Sequence, residues 1–84
     1  MTNTQTETFM EQILRQKVEA KRKGAKFIDL VSREVHMAVG GYPGQNHRMP
    51  ICCSAMYSMM SDGDQVLETP PSGKGAYLTI RYFL

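Results

Sequence analysis

The sequence predicts an α+β domain, on three observations. Two amphipathic helix patterns, separated by the strand-like run Phe27-Ile28-Asp29-Leu30-Val31, fill the first half of the chain. A third helix pattern opens at Pro50. Two strand patterns then close the chain, joined by the turn Pro70-Pro71-Ser72-Gly73-Lys74-Gly75. The predicted order is helix, short strand, helix, helix and a C-terminal hairpin. Eighty-four residues leave room for one core. It is expected over residues 8–84, with the polar, non-periodic residues 1–7 as a disordered N-terminal segment.

The first helix is expected over residues 8–23. Met10, Ile13, Leu14 and Val18, with Phe9 beside them, recur at spacings of three and four and predict one buried stripe. Glu7 and Glu11 lie early and Lys21, Arg22 and Lys23 late, which complements the helix dipole at both ends. Gly24 supplies the stop. Residues 27–31 are rich in strand formers and too few for a helix. Ser32 can then cap a second helix over 33–39, with Glu34 in its first turn. Asp29 is the competing cap, which would lengthen that helix and remove the strand. In both cases Val31, Val35, Ala38 and Val39 make the buried stripe, and Gly40-Gly41 ends the helix.

A turn-rich connector follows, Tyr42-Pro43-Gly44-Gln45-Asn46-His47-Arg48. Pro50 suits a first helical position, where its missing donor costs nothing. The third helix is expected over 50–61. Ile51, Ala55, Met56, Met59 and Met60 face inward with one or both cysteines, and Ser54, Tyr57, Ser58 and Ser61 share another face. Asp62-Gly63-Asp64 turns the chain into strands over 65–69 and 76–83. In the second strand Leu78, Ile80 and Tyr82 alternate inward against Thr79, Arg81 and Phe83. Ile13, Val35, Met56 and Ile80 are expected in one core.

Composition narrows the classes. The chain carries a net charge of +2. Residues 1–26 hold six basic and three acidic side chains, whereas residues 27–84 hold four and five. The excess gathers at the end of the first helix, where it serves the dipole and solubility as readily as a partner. No apolar run approaches the ~18–20 residues of a membrane helix. The start of the chain lacks a signal-peptide pattern, so a cytoplasmic protein with no membrane association is expected. Cys52 and Cys53 point about 100° apart on a helix and suit two reduced thiols rather than a mutual disulfide.

Candidate chemistry is sparse. His36, His47, Cys52 and Cys53 match no zinc spacing, so no metal is expected. Gly73-Lys74-Gly75 joins strands rather than opening a helix and lacks the phosphate-loop pattern. A His47–cysteine nucleophile pair would need an orienting third group and a pocket. Neither an enzyme nor a cofactor is expected.

The order of elements resembles the winged-helix DNA-binding superfamily over residues 8–84, although the connector at 40–49 is longer than a helix-turn-helix usually has. The resemblance implies a third helix in the major groove of double-stranded DNA. Asn46, His47 and Arg48 would lead it, Ser54, Tyr57 and Ser58 would lie along it, and Lys74 would sit at the wing tip. Arg48 is the strongest candidate, because a guanidinium pairs with guanine or clamps a phosphate. The plainer alternatives are an Arg48 salt bridge and a Lys74 that only solubilises the hairpin. The implied function is a transcriptional regulator or accessory factor of a bacterial or phage element. A protein–protein adaptor on the same fold is the alternative, and a protein partner or homodimer suits either. The stretch from Gly40 through Arg48-Met49-Pro50 to Cys53 also looks like a segment of small bacterial and phage proteins, a likeness that carries no activity to transfer.

Overall fold

The computed structural model describes residues 4–40, 49–69 and 75–84. The first element, α1, spans Thr4–Arg22 and so starts before the expected position 8. Its end follows the expectation. Gly24 adopts φ 91°, its amide donates to the Lys21 carbonyl, and the Ala25 amide donates to that of Ala20. Those two bonds occupy carbonyls that the helix itself leaves without partners.

The stripe that α1 buries is only partly the expected one. Phe9 and Ile13 are buried and Met10 is half-buried, but Leu14 and Val18 are 52% and 54% exposed. Adjacent residues sit about 100° apart on a helix, so two overlapping stripes satisfy the same spacing. The stripe that wins runs through Phe9, Ile13 and Lys17. Phe9 packs edge-on against His36, with ring centroids 5.0 Å apart. The Lys17 ammonium lies 5.0 Å from the centre of the Tyr82 ring.

Three strands, β1 (Phe27–Val31), β2 (Gln65–Glu68) and β3 (Thr79–Phe83), form one antiparallel sheet in the order β1-β3-β2. The short strand over residues 27–31 thus forms one edge of the sheet that also holds the two strands of the hairpin. Leu30 pairs with Ile80 and Asp29 with Arg81 across one side, and Val66 pairs with Ile80 across the other. Leu78, Ile80 and Tyr82 are buried while Arg81 and Phe83 turn outward, so the expected alternation holds.

The last strand starts at Thr79, later than expected, because the residues before it serve a helix. The second helix, α2, spans Ser32–Val39. Its first amides, Ser32 N–H and Arg33 N–H, donate to the carbonyls of Leu78 (2.8 Å) and Ala76 (3.1 Å). Backbone from across the molecule thus supplies what a capping side chain would. Neither expected cap is used. Ser32 donates its hydroxyl to the Gly75 carbonyl, and Asp29 sits in β1, paired with Arg81. The buried side of α2 is Ser32, Val35 and His36; Ala38, expected inside, is exposed.

The third helix, α3, spans Met49–Ser58 and stops short of the expected 61. Past Ser58 the Met59 amide is shared between the Ala55 and Met56 carbonyls at 3.1 and 3.3 Å, and the Met60 amide donates to that of Tyr57 at 3.2 Å. Asp64 then fixes the turn. One carboxylate oxygen accepts from the Ser61 amide at 2.8 Å and the other from the Phe83 amide at 2.9 Å. Both cysteines face inward with Met49, Ala55 and Met56, while Ile51, Met59 and Met60 pack half-buried at the margin. Ile13, Val35, Met56 and Ile80 do share one core, and Tyr82 belongs to it. The Tyr82 hydroxyl donates to the Met56 carbonyl at 2.7 Å. Burial pushes the Tyr82 phenol well above its ordinary range, so it stays a donor.

Candidate nucleic-acid interface

The outward side of α3 follows from what it buries. With Cys52, Cys53, Ala55 and Met56 inside, the opposite surface presents Pro50, Ser54 and Ser58 at a spacing of four. Ser58 is exposed and Ser54 half-exposed. Tyr57 lies at the edge of this face and packs partly against the core. The helix therefore brings together three of the residues the sequence singled out. Asn46, His47, Arg48 and Lys74 lie outside the described residues. The α3 sequence, MPICCSAMYS, contains no charged residue.

The cysteines fix where the hairpin loop rejoins the body. The Cys53 thiol donates to the Gly75 carbonyl at 3.3 Å and the Cys52 thiol to the Ser32 carbonyl at 3.5 Å. With the Ser32 hydroxyl also on Gly75, the residue after Lys74 is held between the first turn of α2 and the middle of α3. Neither cysteine is in a disulfide. Burial, with Cys53 alongside, pushes the Cys52 thiol up to about 12. A thiol in that state is a hydrogen-bond donor and a poor nucleophile. Among the described residues, no three His, Cys, Asp or Glu side chains gather closely enough to hold a metal ion.

One pair at this end escaped sequence reasoning. The Arg33 guanidinium lies 5.5 Å from the centre of the exposed Tyr77 ring, two residues beyond Gly75. A cation and an aromatic ring beside the returning loop suit contact with a nucleic-acid backbone. Arg33 is the lone Arg or Lys in its helix, a weak signal. Nothing local could have placed it against residue 77.

Three other cations, Arg22, Lys23 and Arg81, are committed elsewhere. Arg22 and Lys23 reach Glu19 at 3.6 and 3.9 Å on the surface of α1. Arg81 makes two bonds to Asp29, at 2.8 and 3.0 Å, and stacks 4.1 Å above the Phe27 ring. The hydrogen bond from Arg81, with its charge, holds the Asp29 carboxyl below the usual range. These groups share the outward side of the sheet with Phe83, away from α3.

The fold and this surface define a small α+β domain with a three-stranded antiparallel sheet and a polar, uncharged helix face. No protein-family model, curated protein or solved structure matches the chain. Among the described residues, no helix is long and apolar enough to cross a membrane.

Proposed function

We propose that the chain is a winged-helix protein that binds double-stranded DNA, as a regulator or accessory factor of a bacterial or phage element. The element order α1-β1-α2-α3-β2-β3 with sheet order β1-β3-β2 carries this reading. In that arrangement α3 is the recognition helix and the β2–β3 connection is the wing. Arg48 immediately precedes the first residue of α3, where a guanidinium and the helix amides together suit a phosphate or a guanine edge. Ser54, Tyr57 and Ser58 then offer hydroxyls along the groove, Asn46 and His47 lead in, and Lys74 meets the backbone. Arg33 and Tyr77 extend the contact beside the wing. The role is binding, with no catalytic step assigned.

Two variants test it. Arg48→Ala should cost ~1–3 kcal/mol of duplex affinity and flatten preference at one base position, if the side chain reads a base. Lys74→Ala should weaken binding to all sequences alike and reduce the salt slope by about one. Affinity unmoved by both changes would remove α3 and the wing as the interface.

A protein–protein adaptor is the second reading, favoured by two features. The α3 sequence contains no charge, and β2 is an edge strand whose Val66 and Leu67 are both exposed. Heparin retention separates the two. A DNA binder is held and released by moderate salt, whereas an adaptor with a net charge of +2 passes through.

A further inference from the structure

We propose that the outer side of α1 docks a second copy of this chain, the two α1 helices running antiparallel about a twofold axis at Leu14. Leu14 and Val18 are more than half exposed, with half-buried Met10 one turn before them. At a spacing of four the three form a continuous apolar line along the surface. Shallow grooves flank it, one lined by Glu7, Met10, Glu11, Leu14 and Met59 and the other by Glu11, Leu14, Arg15, Val18 and Glu19.

Charge identifies the occupant. Glu7 and Glu11 flank the N-terminal half of the line, and Arg15 and Lys21 the C-terminal half, where Glu19 is already engaged by Arg22 and Lys23. Among the described residues none of these four enters an ion pair. Leu14 set against Leu14 in an antiparallel pair brings Met10 opposite Val18, four residues to either side. Glu7 then meets Lys21, seven residues to either side, and Glu11 comes beside Arg15. A parallel pair would set Glu7 on Glu7 and Lys21 on Lys21. The surface is therefore complementary to itself in one orientation only. This contact uses neither α3 nor the wing, so it stands apart from the DNA reading. One helix side is smaller than the ~800 Å² per partner of a standard interface, and a micromolar dimer is expected.

Sedimentation equilibrium of the full chain, from low micromolar to near-millimolar concentration in low salt, should fit a monomer–dimer equilibrium. Leu14→Glu and Val18→Glu should each weaken it at least about tenfold. Their circular dichroism should match the parent, because both side chains are exposed. Glu7→Lys with Glu11→Lys should weaken self-association, and mixing that variant with Arg15→Glu, Lys21→Glu should restore a mixed dimer. For orientation, Leu14→Cys should cross-link between subunits under mild oxidation, and Glu7→Cys alone should not. A monomer at every concentration, a dimer indifferent to Leu14→Glu, or efficient Glu7→Cys cross-linking would overturn the proposal.

Discussion

The helices α1 and α3 divide their surfaces in opposite ways. The longer α1 is heavily charged and leaves Leu14 and Val18 in solvent, whereas α3 has no charge and buries Met49, both cysteines, Ala55 and Met56. Polar ties hold α3 in place as well, through the Tyr82 hydroxyl on its Met56 carbonyl and the Cys53 thiol on Gly75. What α1 buries is set by its neighbours, His36 against Phe9 and Tyr82 against Lys17, rather than by its own apolar residues. The contrast teaches that polarity alone does not mark a working surface. In α1 the open face carries an apolar line among its charges, and in α3 it is small and polar.

Four substitution experiments put that contrast to the test. Ile80→Asp, at a fully buried position of β3, should unfold the domain at a cost of several kcal/mol, because its charge has no partner in the core. A cooperative urea transition near the parent midpoint would mean the sheet register is wrong. Next come two neighbours on α1. Ile13→Ala should cost ~2–5 kcal/mol, while Leu14→Ala should stay within ~0.5 kcal/mol under monomeric conditions. Equal costs would erase the distinction between the two stripes. Tyr82→Phe strips a donor from the buried Met56 carbonyl and should cost about 1–3 kcal/mol in denaturant melts, with little change in shape.

The smallest effect is the pH response of the sheet. The depressed Asp29 carboxyl contributes stability that is present above its unfolded value and lost as pH falls through the lower folded one. Urea midpoints taken from about pH 5 to about pH 2 should therefore drop for the parent, and Asp29→Asn should remove its share of that drop. An unchanged acid limb in Asp29→Asn would show that the pair with Arg81 does not outlast solvent screening.

Much of the core was legible. Strict alternation from Leu78 to Tyr82 gave the buried side of β3, and Gly24 marked the end of α1, because strand period and a left-handed stop are local properties. The α1 stripe was not, since Ile13 and Leu14 both fit a spacing of three and four and only Tyr82 and His36 decide between them. The role of Ser32 was missed for a similar reason. Its local chemistry says helix cap, but Gly75 approaches from the far end of the chain and takes the hydroxyl. Asp64 read as a turn residue, and its bond to the Phe83 amide needs the folded sheet. Of the candidate interface, Ser54, Tyr57 and Ser58 were visible from helical spacing, while the Arg33–Tyr77 pair depends on residues far apart in sequence.

A salt-dependent duplex titration by fluorescence anisotropy is the sharpest test of the proposed grip on duplex DNA through α3 and the β2–β3 connection. Three to five neutralised phosphates predict that log affinity falls against log salt with a slope of about −3 to −5. No binding to duplex at low salt, with the circular dichroism of a folded α+β domain, would contradict it and leave the adaptor reading ahead.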